Sequence, residues 1–355
     1  MSSSCERAVF RLSTALLALL VLVGCSYIRT DHDALLRPQT DDGVTLLLRH
    51  YAPQNPDPQK SPVLLVHGMG ASGLNFALPG RSLAEYLRDR GYNCFVAELR
   101  GDRLSEPAPG KGRYDFNLDD HILRDMPALV EAIRERTGAE QINMIGHSMG
   151  GVIIGCYLAY FGDERARSVV IVASPFAYRR NTLVYQWAAR HLRLLQRLPT
   201  FPMAGPMPWL ARVLESTDSL IELFLYNPQN IDGPTLRAFS RGGLSATPAK
   251  VLSQFAQNMA DGSNTSWDRS FDYSARLAGL TVPSLWIAGK RDEIVQPVNV
   301  RLSYELAGGE DKSYVLAGRA NGFSVDYGHG DLILGDSAPR EIYPLIEGWM
   351  ARRQR

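Results

Sequence analysis

The 355-residue chain carries almost no net charge, with 38 Lys and Arg against 37 Asp and Glu. It therefore has no global field to attract nucleic acid, and no nucleic-acid partner is expected. Cysteine is scarce: Cys5, Cys25, Cys94 and Cys156 are the four, and no two stand in a C-x-x-C pair. That spacing argues against a zinc site or a dithiol redox motif. Cys94 lies in a strand-like run and Cys156 in a helix-like one, so both read as buried free thiols. Glycine (31) and proline (21) are too few and too scattered for a low-complexity protein, and no internal repeat is visible. With 45% hydrophobic and 21% charged residues, the composition excludes long disorder and a multi-span membrane topology. The length suits one large α/β domain with an insertion, or two domains.

Long apolar runs are also missing. The N-terminal apolar stretch from Leu12 to Val23, preceded by Arg7 and Arg11, falls short of the roughly 20 residues that a bilayer-spanning helix needs. A charged start and a short apolar run form a secretory leader. The run ends Leu22-Val23-Gly24-Cys25, which resembles the lipobox of bacterial lipoproteins. The resemblance implies removal of residues 1–24 and lipidation of Cys25. It further implies a location in the bacterial cell envelope, lipid-anchored to a membrane, with Ser26 compatible with the outer membrane. Residues 25–42 read as a tether.

Beyond the tether, short apolar runs alternate with helical patterns. Thr45 to Tyr51, Pro62 to Val66, Asn93 to Glu98, Ile142 to Ile145, Val169 to Ala173, Ser284 to Ile287 and Tyr314 to Leu316 read as strands. Helices are expected over Leu83 to Leu87, from Asp125-Met126-Pro127 to Gly138, and over Val152 to Tyr160, Val298 to Leu306 and Ile342 to Met350. Such alternation predicts a mostly parallel sheet covered on both faces. It stops over 178–281, a stretch that is helix-like, apolar and arginine-rich. There Trp187, Leu194, Leu195, Trp209, Leu220 and Phe224 stand among Pro199, Pro202, Pro206 and Pro208. This stretch reads as a helical cap inserted between a first core part, 43–177, and a second, 282–355.

Gly146-His147-Ser148-Met149-Gly150 follows the apolar run ending Met144-Ile145. It fits G-x-S-x-G between strand and helix, a tight turn that lifts Ser148 above the sheet while Gly146 and Gly150 let the chain bend. His67-Gly68-Met69-Gly70 follows another strand. A turn there can aim the Met69 N–H at the same point as the Met149 N–H, giving an oxyanion two donors. Serine needs a base. Of the seven histidines, His329 fits best, in the glycine-flanked stretch Tyr327-Gly328-His329-Gly330-Asp331 beyond the last strand. His147 is expected to point elsewhere. Asp292, after the strand ending Trp286-Ile287, is the natural orienting carboxylate, with Glu293 and Asp331 as fallbacks.

The chain order Ser148, Asp292, His329 is that of the α/β-hydrolases. From about 43 to 350 the chain resembles an α/β-hydrolase fold protein with a helical cap. Within that superfamily it is similar to acid lipases and polyhydroxyalkanoate synthases, through Val63-Leu64-Leu65-Val66-His67-Gly68, the elbow, and Val282 to Gly289. The synthases carry cysteine at the nucleophile position, where this chain has Ser148. The resemblance implies a serine hydrolase of carboxylic esters with hydrophobic acyl groups, needing no metal or organic cofactor. A peptidase, thioesterase or acyltransferase would use the same triad. A lipid-anchored binding module with a vestigial site is the rival of a different class, and the complete Ser, His and Asp set argues against it.

Overall fold

A computed structural model describes residues 28–179, 190–191, 199–201 and 225–354. Cys25 and the leader lie outside these residues. So do Trp187, Leu194, Leu195, Trp209, Leu220 and Phe224 of the insertion, with Pro202, Pro206 and Pro208.

Eight strands form one sheet: β1 (Ala34–Leu36), β2 (Leu47–Tyr51), β3 (Val63–Val66), β4 (Cys94–Glu98), β5 (Ile142–His147), β6 (Ala166–Val172), β7 (Ser284–Gly289) and β8 (Lys312–Ala317). Their spatial order is β1-β2-β4-β3-β5-β6-β7-β8. β2 pairs antiparallel with both β1 and β4, and every other pairing is parallel. The fold is thus the expected mostly parallel α/β sheet.

The longer helices among the described residues are α1 (Leu83–Arg88), α2 (Met126–Thr137), α3 (Met149–Phe161), α4 (Gly233–Gly242), α5 (Ala249–Asp261), α6 (Pro297–Leu306) and α7 (Ala338–Ala351). Strand residues alternate between two hydrophobic layers, as a period of two requires. Leu64, Val66, Met144, Ile171 and Trp286 face the layer that holds Leu129 of α2, Ile153 of α3 and Val300 of α6. Val63, Leu65, Ile145, Val170 and Leu285 face the layer of Leu87 of α1 and Ile346 of α7. A sheet apolar on both faces needs helices on both, and here it has them. Cys94 and Cys156 are buried free thiols. Among the described residues, no helix is long and apolar enough to cross a membrane.

Two local readings differ from the structure. The stretch read as a tether, 25–42, contains β1, which closes the sheet's antiparallel edge. Asp125 does not cap a helix start. The helical stretch begins at Leu118, where Asn117 and Asp120 form a reciprocal capping box, and runs through a wide turn at His121–Asp125 into α2. The Asp125 carboxylate instead takes hydrogen bonds from Arg100 and His121 in the interior.

Between β6 and β7 the chain leaves the sheet and returns. Parts of the described insertion reach loops at the carboxyl edge. Ser72 N–H donates to Gly243 O at 2.8 Å, and Ser245 N–H donates to Gly70 O at 2.9 Å. On the other side, Gly330 N–H donates to Leu225 O at 2.8 Å. The insertion therefore touches two of the loops in which candidate site residues stand, those of Met69 and His329.

Candidate active site

β5 ends at His147 and α3 begins at Met149, so one residue makes the turn. Ser148 has φ 57° and ψ −123°, left-handed space that a residue with a side chain rarely enters. Such a conformation costs of the order of 1–3 kcal/mol and persists only where the surroundings enforce it. The surroundings here are close backbone. A Cβ on Gly150 would lie 2.0 Å from Val66 O, and one on Gly146 would lie 2.4 Å from Gly151 N. Ser148 N–H donates to Val172 O at 2.9 Å, tying the turn to the end of β6.

The loop after β3 reaches the same spot. A Cβ on Gly68 would sit 3.0 Å from Ser148 Cβ and 3.5 Å from its Oγ, so the Gly68-Met69 turn passes directly over the hydroxyl. Met149 is the first residue of α3, where an N–H has no intrahelical acceptor. The neighbouring His67 is buried. Its Nδ1–H donates to Gly68 O at 2.9 Å, and Nε2 accepts from Leu99 N–H at 3.5 Å. Burial lowers its pKa, consistent with a neutral ring.

The third loop carries His329, whose Nδ1–H donates to Asp292 Oδ2 at 2.8 Å. The other oxygen, Oδ1, accepts from the amides of Ile294 at 2.9 Å and Val295 at 2.8 Å. The carboxylate is thus fixed before it meets the ring, and both side chains are buried. The two fallback acids stand elsewhere. Glu293 is exposed. Asp331 holds the loop: its Oδ1 accepts from Gly328 N–H at 2.9 Å and Asn227 N–H at 3.0 Å, and its Oδ2 accepts from Asn230 Nδ2 at 2.8 Å. Burial raises the Asp331 carboxyl to about 6 against these donors.

His147 was expected to point away, but it binds the histidine loop. Its Nε2–H donates to His329 O at 3.0 Å, and its Nδ1 faces Asn75 Nδ2 at 3.4 Å. The two imidazole rings lie 4.8 Å apart. The residue before Ser148 and the loop of His329 are therefore in direct contact. Burial, with the nearby His329 adding to it, pushes the His147 pKa down to about 3. Sequence reasoning missed this residue because its partner is a main-chain carbonyl far along the chain, which no side-chain motif announces.

Of the other histidines, His121 is buried against Asp125, His50 stacks on Phe95, and His32 stands with Thr30. His191 is exposed on the insertion. Among the described residues, no group of three or more His, Cys, Asp and Glu side chains is placed to hold a metal ion.

Residues 61–318 match the model of the α/β hydrolase fold family. The chain is 24% identical over 330 residues to lipase member K of Mus musculus, covering 80% of this chain and 78% of that protein. It is 22% identical over 334 residues to a poly(3-hydroxyalkanoate) polymerase subunit of Haloferax mediterranei, covering 87% of this chain and 62% of that one. In solved structures, a thermophilic esterase from Thermogutta terrifontis superposes with a TM-score of 0.60 at 18% identity, covering 91% of this chain and all of the esterase. A strained serine between a parallel strand and a helix, a β3 loop closing over it, and a matching family model across most of the sheet lead to one conclusion: the chain belongs to the α/β hydrolase fold family.

Proposed function

We propose that this protein is a serine hydrolase that cleaves carboxylic esters of hydrophobic acyl groups through an acyl-enzyme. In this reading Ser148 Oγ attacks the carbonyl carbon and the His329 ring takes its proton. Asp292 holds the ring's tautomer and stabilises its charged form. The N–H groups of Met69 and Met149 receive the oxyanion, a contribution worth about 10²–10³ in rate for each donor. His329 returns the proton to the leaving alcohol. A water activated by the same ring then releases the acid and restores Ser148 Oγ–H. The observation that carries the reading is the 2.8 Å contact between His329 and Asp292, in a loop bonded to the residue before Ser148. The names of the similar proteins, a lipase and an esterase, agree with ester cleavage.

Anchoring is part of the same proposal. Acyl chains on Cys25, each buried CH₂ contributing about 0.8 kcal/mol, would hold the enzyme at a bacterial envelope membrane, where hydrophobic esters reside. Palmitate labelling of cells expressing the wild type and Cys25→Ala tests it. Equal labelling removes the anchor.

The decisive experiment measures p-nitrophenyl acyl ester, amide and thioester hydrolysis by the wild type and Ser148→Ala. We expect ester turnover, lost by about 10⁴-fold or more in the variant with its melting temperature kept. Faster amide or thioester cleavage would move the activity to those classes. A folded wild type that does not react with a fluorophosphonate would make the protein a binding module.

A further inference from the structure

Resting on the esterase reading, we propose that the cavity beside the elbow binds a phosphate group carried on the alcohol side of the ester substrate. This cavity has a volume of about 420 Å³ and opens at the carboxyl edge. It shares Asp102, Ser245 and Ala246 as walls with a much smaller cavity lined by Gly68, Met69 and Met149. An ester whose carbonyl sits over Ser148 can therefore extend one of its two arms into the larger space.

The chemistry of the walls selects the arm. Four guanidinium groups line the cavity: Arg49, Arg103, Arg113 and Arg241. Arg49 is paired with the buried Glu98. Arg113 is aimed rather than neutralised, since its Nη1–H donates to the carbonyls of Asp102 and Ser105, each at 2.6 Å. Arg103 and Arg241 are exposed, and neither forms an ion pair among the described residues. The remaining acid, Asp102, is buried next to Glu98, and burial, then that charge, push its carboxyl up to about 7. It offsets only part of the positive charge near neutral pH. Three guanidinium groups with no carboxylate salt bridge among the described residues, around a cavity of small-ligand size, suit a phosphate, whose oxygens accept paired N–H donors. An acyl tail would gain nothing from them. Ile28 also lines the cavity. Three extended residues reach only about 10 Å, so an acylated Cys25 would keep this opening beside the bilayer surface.

The test compares dioctanoyl phosphatidylglycerol with dioctanoylglycerol, identical in acyl chains, in the same detergent micelles. The readout is the ratio of kcat/KM for the two esters. We expect a ratio of at least ten in the wild type. We expect Arg103→Gln/Arg241→Gln to reduce that ratio at least tenfold, and Arg241→Gln alone to reduce it part of the way. Arg301→Gln, at an exposed arginine paired with Glu305 far from the cavity, should keep the wild-type ratio. Melting temperatures establish that each variant is folded. Equal wild-type rates on the two lipids overturn the inference and leave the esterase reading intact. So does a preference that survives in the double variant. If millimolar inorganic phosphate protects the cavity while the lipid ratio is one, the site belongs to a free anion and the substrate assignment falls. Hydrolysis of neither lipid, with no fluorophosphonate labelling, overturns the esterase reading itself.

Discussion

Two loops at the same sheet edge are held in different ways. The Ser148 turn is local: five consecutive residues, two of them glycines pressed against backbone, force one residue into left-handed space. The His329 loop owes its shape to distant parts of the chain. Asn227 and Asn230, through Asp331, and the carbonyl of Leu225 bind it from the insertion side, His147 from the elbow side, and Asp292 from the loop after β7. The first arrangement is rigid because backbone packed against both glycines, from α3 and from the end of β3, leaves no alternative. The second is adjustable, because each bond can be weakened separately.

This contrast makes the loops respond differently to substitution. The largest effect should come from the local one. Gly150→Val places a side chain in the space of Val66 O and should destabilise the protein by about 4 kcal/mol or more, read from urea unfolding, with activity lost together with the fold. Next, Asp292→Asn should lower kcat roughly 10²–10⁴-fold with little loss of stability, while Glu293→Gln, at an exposed position, should stay near the wild-type rate. The reverse result would reassign the acid. Asp331→Ala removes the acceptor shared by Gly328, Asn227 and Asn230, and a fall in kcat of about tenfold is expected as the histidine loop loosens. A rate as low as that of Asp292→Asn would mean the two loops are equally intolerant.

The smallest effect concerns pH. Burial lowers the pKa of the His147 ring to about 3 from its ordinary value near 6.5, so the unfolded chain binds its proton more readily than the folded one. The stability it contributes is complete above about pH 6.5 and is lost as the pH falls towards 3. His147→Gln can still donate to His329 O but cannot titrate. Its melting temperature should fall less steeply than that of the wild type between pH 6.5 and 4. Parallel curves would show that His147 does not titrate differently on folding.

The same division decides what could be read from the sequence. The central strands were legible because a sheet buried on both faces requires uninterrupted runs such as Val63-Leu64-Leu65-Val66. The elbow was legible because its requirements fall within five residues. β1 was not: a three-residue edge strand with half-buried ends carries no period to detect. Asp125 was misread because aspartate before Met-Pro has the form of a helix start, while its true partner, Arg100, stands far upstream. His147 was misread because its role exists only once residue 329 arrives beside it. Asp292 was singled out from its place after β7, but its preference over Glu293 rests on the amides of Ile294 and Val295, which only the folded turn supplies.

The attachment of the insertion to the histidine loop constrains anyone who would redesign this enzyme. Residues 225–230 supply the carbonyl received by Gly330, a side-chain donor to Asp326 O and two donors to Asp331. A graft that replaced everything between β6 and β7 with a shorter linker would remove those struts along with the covering. Chimeras that exchange substrate preference should therefore keep the segment from Leu225 to Asn230 native and place their upstream junction ahead of it.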